Sequence, residues 1–230
     1  MLGDEPSKWS KMAPLPHPPW FDEQALLFRD AAEKAANGKR VEAIQILKRL
    51  RSDEMRAWFD EHGQVSGFHR HRKLPVYAPR VSTDELDHIK STARIENEVF
   101  KRDYYKCRYC GLNVVTKEVL EAFKRAVDAP RDRDFATSHF YTSTKGKNAQ
   151  QHGVVHAFKI VADHVVPYGC GGRTDLANLV TSCPGCNYGK DRFTIHQLGI
   201  DDPRVRPPEY SDWDGLTSLT EGLKRNELQV

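Results

Sequence analysis

The fold is decided by Cys107-Arg108-Tyr109-Cys110 together with VADHVVPYGCGGRTDLANLVTSCPGCN at residues 161–187. Each stretch holds one Cys-x-x-Cys pair, and two such pairs supply the four thiolates of a tetrahedral structural zinc site. We therefore predict one bound Zn²⁺ with these four ligands: Cys107, Cys110, Cys183 and Cys186. Cys170 lies outside both pairs, and we expect it to be a free thiol.

The distance between the two pairs is unusual for a small zinc module. Cys110 and Cys183 are separated by 72 residues, whereas a compact zinc ribbon has roughly 15 to 20 at this place. The intervening chain must therefore form structure of its own. Buried free thiols are the alternative explanation for the cysteines, but they do not account for two separate pairs that are each accompanied by Gly or Pro.

Several further short motifs follow in order along the chain. They are Asp163-His164-Val165-Val166-Pro167, Gly171-Gly172, Asn178-Leu179, Asn187 and Lys190. With the cysteine pairs, this order resembles the HNH endonuclease family, whose ββα-metal motif has the pattern CxxC, DHxxP, GG, NL, CxxCN and K. The resemblance covers about residues 94–200. It implies an α+β protein in which a zinc-stabilised ββα-metal domain hydrolyses phosphodiester bonds of DNA, most simply double-stranded DNA.

The chemistry of that reaction assigns a role to individual residues. Phosphodiester hydrolysis needs a base that deprotonates water and a hard divalent cation that neutralises developing charge. His164 is the candidate catalytic base, and Asn178 is the candidate group that orients its ring. Asp163 and Asn187 offer oxygen donors suited to a catalytic Mg²⁺ or Mn²⁺. A zinc ion held by four cysteines has no open position for water, so we expect it to be structural.

Three positions near the end of the motif are less typical of the family or less specific for DNA binding. The third letter of the family name is often His, whereas position 187 is Asn. An amide oxygen favours Mg²⁺ or Mn²⁺ over Zn²⁺ or Ni²⁺ as the catalytic ion. Lys190 and Arg192 are candidate DNA-binding residues that contact phosphate, although ordinary surface charge explains them equally well.

We divide the chain into three parts. Residues 1–21 form an extended, Pro-rich lead-in, and residues 22–81 form a small helical region followed by a basic linker. Residues 82–230 form the HNH nuclease domain, with an insert at about 112–155 and a C-terminal helical extension. The apolar stripes of the N-terminal helices are typical of core packing.

Local patterns predict further elements of the nuclease domain. Ser82 and Glu85 form a capping box, which predicts a helix running towards Lys101. Residues 154–164 and 178–182 are rich in β-branched side chains and therefore predict strands.

Charge and composition limit the partners and the location. The net charge is +3, but residues 101–192 carry 15 basic and 9 acidic residues, so the basic excess lies in one segment. That excess fits both a polyanion-binding face and a solvated surface. No apolar run is long enough to span a membrane. The N-terminus has acidic residues where a signal peptide needs basic ones, so we expect a cytoplasmic protein.

Two other functions remain open at this point. A non-catalytic zinc ribbon would use the four cysteines to fold a nucleic-acid-binding surface, but it would not need the DHxxP motif or the two asparagines. Alternatively, the domain is the effector of a restriction or anti-phage assembly or of a mobile element. Residues 22–63 would then dock a protein partner.

Overall fold

The computed structural model describes residues 13–62, 81–86, 93–127 and 152–227. Most of the predicted linker between residues 62 and 81 lies outside this range, as do the N-terminal part of the lead-in and the middle of the insert. None of the helices within the described ranges is both long and apolar enough to cross a membrane.

The architecture is α+β, as predicted. The N-terminal helices are α1 (Trp20–Ala36), α2 (Arg40–Arg49) and α3 (Ser52–His62). The middle of the chain forms α4 (Ala93–Arg102), α5 (Lys117–Val127) and α6 (Gly153–Phe158). The last part contains β1 (Val161–His164), β2 (Leu179–Ser182), α7 (Pro184–Lys190), α8 (Ile195–Leu198) and α9 (Thr220–Arg225). Short 3₁₀ turns occupy Thr83–Glu85, Tyr168–Cys170 and Thr217–Leu219.

The N-terminal helices share one hydrophobic core with the second half of the chain. Helix α1 packs against α2, α5, α6 and α9. Aromatic contacts join the halves, among them Phe28 to Phe123 with ring centroids 5.0 Å apart and Phe21 to Phe158 with centroids 6.2 Å apart. The apolar stripe of α1 is therefore used inside the molecule. Residues 22–62 have no core separate from that of the predicted nuclease domain.

The segment before α1 also packs against the nuclease domain. Ala13 and Leu15 are buried, and this stretch crosses α7 at Gly189. A Cβ on Gly189 would lie 2.6 Å from the Cβ of Leu15, so only glycine allows the two segments to approach this closely. The end of the Pro-rich lead-in is thus part of the fold around α7.

One of the predicted strands is partly wrong. Of residues 154–164, only Val161–His164 form a strand, because Gly153–Phe158 are helical. All six residues of α6 are buried, and Gly153 donates its N–H to Ser52 Oγ at 2.9 Å. Packing on α3 therefore outweighs the β-propensity of Val154 and Val155, as expected for a propensity that depends on context. The strand predicted at 178–182 forms over Leu179–Ser182.

The predicted helix after Ser82 also begins later than expected. Thr83–Glu85 form a single 3₁₀ turn, and the helix is described only from Ala93 to Arg102. Residues 87–92 lie outside the described residues.

The two strands and α7 form the frame of the candidate site. Strand β1 pairs with β2 in antiparallel register, with Asp163 opposite Val180 and His164 opposite Leu179. Helix α4 packs against β2, and α7 follows β2 directly and packs against β1. This is a ββα arrangement in which β1, with Asp163 and His164, packs against α7, with Asn187 and Lys190.

Candidate active site

The four predicted zinc ligands come together. The Sγ atoms of Cys107, Cys110, Cys183 and Cys186 all lie within 4.8 Å of one another. The Sγ atoms of Cys110 and Cys183 are 3.7 Å apart, and two sulfurs bound tetrahedrally at the usual Zn–S distance of about 2.3 Å would be about 3.8 Å apart. The cluster therefore fits a structural Zn²⁺. Cys170 is not part of it.

Local backbone geometry explains why each pair presents its thiols. In the first pair, Gly111 has φ +79° and donates to the carbonyl of Cys107 at 2.8 Å, a turn that favours glycine. In the second pair, Cys183 is the N-cap of α7, and its Sγ accepts the N–H of Cys186 at 3.4 Å. Pro184 occupies the first turn of that helix, where a missing N–H costs nothing.

The first cysteine pair is attached directly to the sheet. Arg108 donates its backbone N–H to the carbonyl of Thr181 at 2.8 Å. The N–H of Thr181 is bound by the buried carboxylate of Asp103 at 2.7 Å, and Asp103 also pairs with Arg102 at 2.8 Å. The outer edge of β2 is thereby occupied, and the first cysteine pair is attached to this strand by a backbone hydrogen bond.

His164 is half-buried at the end of β1. Its Nε2 lies 2.9 Å from Oγ1 of Thr174, and its ring meets Tyr168 edge-on with centroids 5.9 Å apart. Burial and, to a lesser degree, the positive charge of Lys190 lower the pKa of His164 below its usual value. A neutral imidazole with Nε2 engaged keeps Nδ1 for another partner, which suits a general base.

Asn178 acts on the loop after His164 and not on the imidazole itself. Its Oδ1 accepts the N–H of Val166 at 2.9 Å, and its Nδ2 donates to the carbonyls of Val166 and Arg173, each at 3.0 Å. Asn178 was predicted to orient the His164 ring, but its side chain instead stabilises the backbone of the following loop. Thr174 makes the direct contact with the ring, and the sequence signal for it was weak, a single Thr in a polar segment before Asn178.

The double glycine of the motif has a steric explanation. A Cβ on Gly172 would lie 1.9 Å from the carbonyl oxygen of Val166 and 2.8 Å from Nδ2 of Asn178. Gly171 has φ +86°. The loop between His164 and Thr174 therefore folds back on itself only because these positions lack side chains.

Asp163 is buried and bonded on both carboxylate oxygens. Its Oδ2 accepts the hydroxyl of Tyr109 at 2.7 Å, and its Oδ1 lies 3.2 Å from Nζ of Lys190. Burial raises the pKa of Asp163, although Lys190 and Tyr109 act in the opposite direction. The side chain of Lys190 is itself only 1% exposed. Lys190 therefore points inward to Asp163, unlike the surface phosphate contact that the sequence suggested.

The other predicted residues lie on α7 and just beyond it. Asn187 is half-buried and lines a groove of about 770 Å³ together with Ala162, Tyr188 and Lys159, among other residues. Lys117 also lines this groove, and burial, followed by the charge of Lys117, lowers the pKa of Lys159. Arg192 is exposed.

Comparison with protein families identifies this part of the molecule. Residues 153–193 match the model of the family described as HNH endonuclease. The chain contains an HNH domain. The matched segment begins with α6, includes both strands and α7, and contains Asp163, His164, Asn178 and Asn187. The first cysteine pair precedes the matched segment and forms one cluster with the second pair, which lies inside it. No curated protein and no solved structure matched the chain.

The donors of the HNH domain differ in how well they suit two metal ions. The four thiols form a closed, sulfur-rich set that suits zinc. Asp163 and Asn187 are oxygen donors, which suit a hard ion such as Mg²⁺. An ionised carboxylate has about four acceptor sites, so Asp163 keeps acceptor capacity beyond its bonds to Tyr109 and Lys190.

Proposed function

We propose that the protein is a metal-dependent DNA endonuclease that hydrolyses phosphodiester bonds through its HNH domain with one catalytic divalent ion. The observation that carries this proposal is the placement of His164. It stands at the end of β1 in the segment that matches the HNH family, with its ring held by Thr174 and with Asp163 beside it in sequence.

In this mechanism each residue has a separate task. Neutral His164 takes the proton of the attacking water through Nδ1, while Thr174 holds Nε2 and Asn178 braces the loop behind the ring. Asp163 and Asn187 would hold Mg²⁺ or Mn²⁺, and the bound ion would supply positive charge to the phosphate and the leaving oxygen. The groove beside Asn187 offers the lysines that would meet neighbouring phosphates.

Cleavage of supercoiled plasmid tests the proposal. The parent protein should convert the plasmid to nicked or linear forms with Mg²⁺ or Mn²⁺ and should fail with EDTA. His164→Ala should lower the rate by about 10² to 10⁴, the usual effect of losing a general base, while zinc content and DNA binding are retained. Cleavage by His164→Ala at the parent rate would remove that residue from the mechanism.

A non-catalytic zinc-binding module is the second candidate. It is favoured by the engagement of Asp163, since a carboxylate paired with Lys190 and bonded to Tyr109 also serves as a purely structural group. In that case the parent protein binds DNA and leaves the plasmid intact under every metal condition.

The setting of the activity is also part of the proposal. Committing four cysteines to metal is typical of a reducing compartment, which supports a cytoplasmic location. Restriction, anti-phage defence and mobile elements are the settings in which such a nuclease would meet DNA.

A further inference from the structure

Tyr109 connects the zinc cluster to the strand that carries the candidate catalytic residues. It stands between Cys107 and Cys110, yet its hydroxyl donates to Asp163 Oδ2 at 2.7 Å. Tyr109 is completely buried, and Asp163 is 6% exposed. A short bond to an ionised oxygen in such surroundings is among the stronger hydrogen bonds in proteins.

The backbone of Tyr109 is held independently of Asp163. On one side, Arg108 donates to β2, and on the other, the turn through Gly111 closes onto Cys107. Because Cys107 and Cys110 are both in the cluster, the position of the Tyr109 backbone between them is fixed. Its hydroxyl therefore determines the direction of the Asp163 carboxylate, whereas Lys190 approaches the opposite oxygen from α7.

We propose that Tyr109 is a positioning residue for the catalytic divalent ion: its hydroxyl holds Asp163 in the orientation in which the carboxylate accepts that ion. This inference rests on the proposed function of the HNH domain and adds a residue that lies outside the segment matched by the family. It also gives the structural zinc a specific consequence, because the cluster sets the position of Tyr109. Partners that orient a metal ligand typically change metal affinity by about 10- to 100-fold when they are removed.

The test is a titration of Mn²⁺ into the protein without DNA, followed by the EPR signal of the free ion. The variants are Tyr109→Phe, which keeps the buried ring and removes only the hydroxyl, and Tyr104→Phe as the matched control. Tyr104 lies in the same lead-in to the cysteine pair, and its ring contacts Tyr210. Asp163→Ala defines the loss of the site itself.

We expect Tyr109→Phe to bind Mn²⁺ about 10- to 100-fold more weakly than the parent, with unchanged zinc content, and Tyr104→Phe to bind like the parent. The Mg²⁺ concentration for half-maximal cleavage should rise by the same factor in Tyr109→Phe. Parent-like Mn²⁺ binding by Tyr109→Phe would overturn the positioning role alone. Loss of both zinc and Mn²⁺ binding in Tyr109→Phe would also overturn it, because the hydroxyl would then support the zinc cluster. Parent-like Mn²⁺ binding by Asp163→Ala would overturn the proposed metal site as well.

Discussion

The ammonium of Lys190 lies 3.2 Å from Oδ1 of Asp163, and both side chains are buried. The one carboxylate that we place on the catalytic ion is thus already neutralised by a cation of the protein. A divalent ion that binds Asp163 must act against this charge, since like charges at such separations repel strongly in a buried site. If Asp163 binds the ion as proposed, we therefore expect weak metal binding by the protein alone, with DNA phosphate completing the site.

Replacement of Lys190 tests this relationship. Lys190→Met leaves the carboxylate of Asp163 buried without its partner, and removing one member of a buried pair typically costs about 3 to 5 kcal/mol. We expect a lower melting temperature without added divalent ions and a larger stabilisation by added Mn²⁺ than in the parent, because the competing charge is gone. Thermal melts with and without Mn²⁺ measure both effects.

Lys224→Met is the control for that comparison. Lys224 pairs with Glu118 at 2.7 Å on the surface, and such exposed pairs contribute little to stability. A Lys190→Met protein that is as stable as Lys224→Met without added divalent ions would show that the ion pair with Asp163 is unimportant for stability.

Thr174 should affect the rate through the orientation of His164. Thr174 is buried and bonded to Nε2 at 2.9 Å. Thr174→Val has nearly the same shape but lacks the hydroxyl, so the ring loses its fixed orientation, and we expect cleavage to slow by roughly tenfold, equal to about 1.4 kcal/mol. Thr174→Ser keeps the hydroxyl and should retain most of the rate. Equal single-turnover rates for the Val and Ser variants would contradict the orienting contact.

Gly172 should be intolerant of any side chain. In Gly172→Ala the new methyl would lie 1.9 Å from the carbonyl oxygen of Val166, so the loop behind His164 must open, and overpacking of this kind costs about 1 to 3 kcal/mol or more. Gly169→Ala is the matched control, because a Cβ there meets nothing within 4 Å. Denaturant unfolding of both variants measures the difference, and similar midpoints would show that the loop has another way to accommodate the methyl.

Zinc removal should unfold the HNH domain and not merely inactivate it. The cluster ties the first cysteine pair to the start of α7, and binding energy of a structural zinc is folding energy. We expect Cys107→Ser to lose bound zinc and to melt at a markedly lower temperature. Cys170→Ser should keep both zinc and stability, since Cys170 lies outside the cluster. Metal analysis that finds no zinc in the parent protein would refute the assignment.

The sequence predicted the cluster and the HNH motif because their chemistry is local. A Cys-x-x-Cys pair places two thiols on one turn whatever surrounds it, and the order of the remaining motifs sufficed to identify the HNH family. The strand predicted at 154–164 was partly wrong for the opposite reason. Whether Val154 and Val155 lie in a strand or a helix depends on α3, which is far away in the chain.

By itself the sequence determined the α+β class, the cysteine cluster and the likeness of the segment around His164 to the HNH family, since these depend on residue type and short spacing. Only the tertiary structure decided that Tyr109 and Lys190 converge on Asp163, that Thr174 contacts His164, and that Asn178 braces a backbone loop. These contacts join residues that lie up to 54 positions apart. Which residues meet depends on strand register and on the direction of each buried side chain. The spacing of residues in the sequence does not reveal either of these.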